Sequence, residues 1–118
     1  MINVIEYRRP NGRSPYGDFR ETVAKSGKQQ ILARIDAAIR KLAEVGSHAL
    51  VEINTAEKMN DVWQLRVGPF RVFYFLDESQ RTYILLNGYR KATQKAPRGV
   101  LEMAEGLRQD YLSAQRRR

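Results

Sequence analysis

Residues 62–97 read VWQLRVGPFRVFYFLDESQRTYILLNGYRKATQKAP, and this stretch decides the fold. Gly68-Pro69 and the polar run Asp77–Arg81 cut it into three segments rich in β-branched and aromatic side chains, the pattern of consecutive antiparallel strands. Alternation places Trp63, Leu65 and Val67 on one face of the first strand and Val62, Gln64 and Arg66 on the other. In the second strand Val72, Tyr74 and Leu76 stand opposite Arg71, Phe73 and Phe75. A hairpin loop over Val67–Phe70 makes Arg66 and Arg71 direct cross-strand partners, with Gln64 facing Phe73 and Val62 facing Phe75. Like charges set side by side destabilise a strand pair unless an anion lies between them. The stretch therefore reads as a small sheet presenting cations to a polyanion.

Outward from it, the N-terminal half reads as one strand and two helices. Ile2–Tyr7 alternates weakly and ends in the turn cluster Arg8–Gly12. Ser14 followed by Pro15 opens a helix with Phe19 and Val23 on its apolar face, and Ser26-Gly27 closes it. Lys28–Val45 carries Ile31, Ile35, Ile39 and Leu42 at helical spacing, with Gly46 suited to the left-handed residue after the last turn. Ser47–Asp61 is polar around Leu50, Val51 and Ile53, which predicts a short edge strand or an extended loop. Beyond the three strands, Pro97 opens a last helix with Val100, Met103, Ala104, Leu107 and Tyr111 on one stripe. The order predicts an α+β domain over residues 1–118: an N-terminal strand and helical hairpin, then a mainly antiparallel sheet of three to four strands and a C-terminal helix.

The chain has 118 residues, no cysteine and a net charge of +8. Lack of cysteine excludes disulfides and thiolate metal sites and fits a reducing, cytoplasmic compartment. The start MINVIEYRRP has its charges after its apolar residues, unlike a signal peptide, and no apolar run approaches a membrane span. The basic balance favours nucleic acid, an anionic membrane surface or an acidic protein as partner. No cofactor and no metal site is expected, because Asp77 and Glu78 share a turn and His48 stands alone.

The phrases WQLRVGPFRVFYF and ILLNGYRKATQKAP, with SPYGDFRE and the helix to Gly46, resemble the RelE/ParE toxin superfamily and in particular its phage-derived HigB-like branch. The resemblance covers nearly the whole chain, with its specificity in residues 63–97. It implies a RelE-like fold and a type II toxin neutralised by a partner antitoxin with a helix-turn-helix region. The implied activity is metal-independent, ribosome-dependent cleavage of messenger RNA on the small subunit, in which the RNA's 2′-hydroxyl attacks the adjacent phosphorus. Arg71 then matches the arginine set against the scissile phosphate, Arg66 a second basic position, and Arg90 the arginine after the family's glycine. Guanidinium suits this work because its planar fork grips two phosphate oxygens and keeps its charge.

For proton transfer the sequence offers Lys95, Lys91, Gln94 and Tyr89, with Lys58 standing in for a lysine that relatives carry where this chain has Val62 and Gln64. Lys58, Gln64, Tyr89, Lys91, Gln94 and Arg98 are candidate RNA contacts. Phe73 and Phe75 fit the core under the last helix better than a base-stacking platform, and Tyr111 likewise. Two alternatives keep the fold and change the function. One is a ParE-like inhibitor of DNA gyrase, and the other a non-catalytic module that binds RNA or the antitoxin.

Overall fold

The computed structural model describes residues 1–91 and 98–117. Its elements are β1 (Asn3–Glu6), α1 (Pro15–Lys25), α2 (Gln29–Glu52), β2 (Ala56–Met59), β3 (Val62–Val67), β4 (Phe70–Asp77), β5 (Thr82–Arg90) and α3 (Arg98–Arg116). The fold is α+β, as the pattern predicts. Its sheet is larger than predicted: five strands in the order β1-β5-β4-β3-β2. The three strands of residues 62–90 and β2 pair antiparallel. The N-terminal strand joins the same sheet in parallel, with Asn3 opposite Thr82 and Glu6 opposite Leu85. A parallel partner comes from far along the chain, so local alternation carries no sign of it.

The start of α1 and the break in α2 have chemical causes. The Ser14 hydroxyl accepts from the Gly17 N–H at 2.9 Å, capping α1, and Pro15 occupies the first turn where no N–H is needed. Arg20 of α1 and Asp36 of α2 join the two helices in a forked ion pair. At Gly46 the backbone leaves the helix with φ +82°, as predicted. The chain does not then extend, however. Ser47–Glu52 forms a further helical stretch, because Ser47 is tied to the sheet through its N–H on the Tyr83 hydroxyl (3.1 Å) and its own hydroxyl beside that of Tyr74 (2.8 Å). Leu50 fills the core while Val51 and Ile53 face solvent, so the predicted strand around them is replaced by β2, which runs over Ala56–Met59.

Helices cover both faces of the sheet. On one, Tyr16, Ile35, Leu42 and Leu50 meet Leu65, Val72, Tyr74 and Leu85. On the other, Ala104, Leu107 and Tyr111 of α3 meet Val62, Phe73, Phe75, Ile84 and Leu86. Met103, predicted to lie on this stripe, is instead exposed. The start of α3 at Pro97 lies outside the described residues.

Two side chains lock the helices to the sheet in ways that substitution tests directly. Phe19 of α1 lies flat against Gly88, where an added Cβ would meet its ring at 2.6 Å. Gly88→Ala is therefore expected to destabilise by about 1–3 kcal/mol through overpacking, read as a lower urea midpoint. The second lock is the buried carboxylate of Asp77, which accepts from the Tyr111 hydroxyl at 2.6 Å and from the Ser79 hydroxyl and N–H. Burial alone would raise the Asp77 pKa, but the hydrogen bonds from Tyr111, Ser79 and nearby backbone outweigh it and hold the group below its ordinary value. Since the folded value is the lower one, this stabilisation is complete above the unfolded-state value near pH 4 and disappears as pH falls through the folded value. Tyr111→Phe is expected to cost about 1.5–3 kcal/mol at neutral pH and to flatten the loss of thermal stability below pH 4. An unchanged acid limb in melts of the variant would rule this linkage out.

Candidate nucleic-acid interface

The site is built on the β3–β4 hairpin. Gly68 takes φ +57° in the two-residue loop, a sign that glycine adopts without strain, and the loop fixes the register. Arg66 and Arg71 are direct partners, and Gln64 faces Phe73, as the sequence predicts. No anion lies between the two arginines among the described residues; the charge that neutralises Arg66 comes from the strand on its other side. Arg66 donates to the Glu57 carboxylate and to the Asn54 side-chain oxygen, so β2 supplies the neutralising charge. Neither partner is visible in the sequence without the register of β2, which sets Glu57 opposite Gln64.

Arg71 is held differently. One terminal nitrogen, Nη1, donates to the carbonyls of Gly68 (2.6 Å) and Phe70 (2.9 Å), which folds the side chain back along the turn. Its Nε–H is buried and has no acceptor among the described residues. A buried donor without a partner costs about 1–3 kcal/mol, and a site for an incoming acceptor is one reason to retain it. The buried Asn87, on the same face, has a second orphan: its amide donates to the Val100 carbonyl at 3.2 Å, while its oxygen has no partner among the described residues.

A β-bulge decides what β5 adds. Phe73 pairs with Asn87 and Tyr74 with Leu85, so Leu86 is the extra residue. Leu86 and Asn87 both turn toward α3, and the alternation beyond them is reversed. Tyr89 therefore stands opposite Arg71, and Arg90 opposite Phe70 on the α1–α2 face. The structure brings together Arg66, Arg71, Gln64 and Tyr89, but sends Arg90 to the other side of the sheet, contrary to the arrangement expected from plain alternation. Two consecutive leucines, Leu85 and Leu86, are the only sequence trace of the bulge.

Gln64 and Tyr89 are both buried, and the Tyr89 hydroxyl donates to the Gln64 oxygen at 3.2 Å. The Tyr89 ring stacks on Phe73 with centroids 5.7 Å apart. Phe73 and Phe75 lie in the core under α3, as predicted. Burial raises the Tyr89 pKa, against the pull of the Arg71 cation and with a further rise from Glu57. In this arrangement Tyr89 and Gln64 form a wall behind Arg71, leaving no open ring face for a base. The Lys91 N–H donates to the Pro69 carbonyl at 2.6 Å and so closes the same turn. Lys58 lies elsewhere: it is opposite Trp63 on the α1–α2 face, beside a cleft of about 580 Å³ that also holds His48 and Asp61. Gln94, Lys95 and the side chain of Arg98 lie outside the described residues.

Two basic residues not singled out by sequence reasoning also reach the hairpin. A Cβ on Gly68 would sit 3.4 Å from Nη1 of Arg34, and Lys28 Nζ lies 6.0 Å from the centre of the Phe70 ring. Among the described residues no group of three His, Asp or Glu side chains gathers as a metal site, and no helix is long and apolar enough to cross a membrane.

Matches among solved structures include a chain of the toxin–antitoxin complex RelBE2 from Mycobacterium tuberculosis, at TM-score 0.48 and 14% identity, covering 76% of this chain and 98% of that one. Comparison with curated proteins returns no match. The model of the family described as "Phage derived protein Gp49-like (DUF891)" matches residues 25–109, which include α2, the whole β2–β5 meander and most of α3. The chain belongs to this phage-derived, Gp49-like family.

Proposed function

We propose that the chain is the toxin of a type II toxin–antitoxin pair and cuts messenger RNA on the ribosome. One observation carries this reading: Arg71 is anchored by the turn, opposed by a second arginine, and keeps a buried Nε–H without an acceptor among the described residues. That group is suited to a phosphoryl oxygen. In the reaction the RNA's 2′-oxygen bonds to phosphorus as the 5′-oxygen leaves, the 2′-proton goes to a base and the leaving oxygen takes a proton from an acid. Charge building on the phosphoryl oxygens is stabilised by Arg71, with Arg66 and Arg90 contributing to the local field. Lys95 and Lys91 are the proposed proton carriers, and Gln94, Arg98 and Lys58 the proposed flanking contacts. The partner is a helix-turn-helix antitoxin of acidic or mixed charge, and the site of action is the cytoplasm. The +8 net charge and the L-R-x-x-x-F-R hairpin, Leu65 to Arg71, support the reading.

A second reading is a binding module without chemistry. The ion pair that already occupies Arg66 favours it. Mapping message ends after induced expression separates the two. The nuclease reading expects in-frame cuts and halted translation. Intact messages with normal growth would leave the binding module, and intact messages with a DNA-damage response would point to gyrase.

A further inference from the structure

The cations at the hairpin end of the sheet do not stop at the Arg71 face. The bulge delivers Arg90 to the opposite face, where it stands beside Phe70. Lys28 approaches the same Phe70 ring, and the Arg34 guanidinium leans on Gly68 at the tip of the turn. Arg71 and the backbone of Lys91 close the turn from its other side. Among the described residues, none of Lys28, Arg34, Arg71, Arg90 and Lys91 forms an ion pair with a carboxylate.

Lys28, Arg34 and Arg90 are all exposed. They border two adjoining hollows that share Lys28: one of about 420 Å³ beside Phe70 and Arg90, the other of about 350 Å³ beside Arg34. The hollow beside Phe70 is lined mainly by apolar surface, but Phe70 and Val23 in its floor are only 5% and 2% exposed. Around that floor the face offers a partner a row of positive charge. Protein–protein contacts depend on buried apolar anchors, whereas phosphate neutralisation alone binds nucleic acid.

We infer that RNA bound at Arg71 continues over the Gly68–Pro69 turn onto the α1–α2 face, where Arg90, Lys28 and Arg34 hold further phosphates. This rests on the nuclease reading and extends its site to a track on both sides of the sheet. Message and ribosomal RNA share the phosphate chemistry, so two probes are needed: a labelled, unstructured 2′-O-methyl 12-mer, and an RNA hairpin of equal charge.

The test is a salt titration of binding by the full chain and by Lys28→Gln/Arg34→Gln, which changes neither Arg71 nor any proposed proton carrier. Each single-strand phosphate contact contributes about 0.7 to the salt slope, so the double variant is expected to lose about 1.4 in slope and about 25-fold in affinity at 0.1 M salt. Loss on the 12-mer supports the inference, whereas loss on the hairpin alone points to a separate ribosomal contact and overturns the continuous track. Arg40→Gln/Lys41→Gln, of equal charge and further along α2, is expected to change affinity less than about threefold under the same screening. Unchanged binding of both probes by Lys28→Gln/Arg34→Gln overturns the inference, including the case where only binding to an acidic protein is lost. Equal losses in the two double variants overturn it as well. The nuclease reading is decided separately, by message ends with and without Arg71, so the two can fail independently.

Discussion

Arg71→Ala is expected to reduce message cleavage by about 10²–10³-fold, the usual cost of removing one preorganised donor from a site where negative charge develops. The same change is expected to alter folding stability by less than about 1 kcal/mol. The two expectations belong together. The guanidinium contributes two hydrogen bonds to the turn carbonyls, but it also faces Arg66 and holds a buried Nε–H with no acceptor among the described residues. Alanine removes the favourable and the unfavourable contributions at once. A purely structural arginine would show the reverse, a loss of stability without a selective loss of cleavage. Arg71→Lys retains the charge without the fork, so it is expected to recover only part of the activity. Mapped message ends and urea melts on the same variants read both quantities. Full toxicity in Arg71→Ala would end the nuclease assignment.

Phe73→Ala is expected to cost about 3–5 kcal/mol, enough to unfold a marginal domain. Phe73 is fully buried, lies between the sheet and α3, and stacks on the Tyr89 ring that backs Arg71. Its removal leaves a cavity that a sheet paired on both sides cannot collapse to fill. Phe73→Leu retains most of the volume and is expected to cost well under half as much. If melting midpoints fell equally in the two variants, volume would not be what Phe73 supplies.

The hairpin register is legible in sequence because period-two alternation and a Gly-Pro loop leave one way to align the strands. Arg66 beside Arg71 followed from that alone. Features that depend on a residue far away, or on a broken period, were not legible. Glu57 neutralises Arg66 from a short strand whose alternation carries little apolar signal. The bulge at Leu86 reverses the faces of Tyr89 and Arg90, and a pair of adjacent leucines is a weak marker for it. Gly46 correctly marks the end of a helix, but only the buried hydroxyls of Tyr74 and Tyr83 explain why a second helical stretch follows at once.

The parallel pairing of β1 with β5 has a consequence for how the molecule comes into being. Asn3 is synthesised well before its partner Thr82, so β1 waits for the helices α1 and α2 and three further strands before it can dock. Until then the growing end lacks β5, hence Tyr89 behind Arg71 and Arg90 on the far face. Long-range pairing of this kind is slow because loop closure precedes its reward. A nascent chain thus holds an incomplete candidate site until β5 has been made, and only then can the five strands assemble.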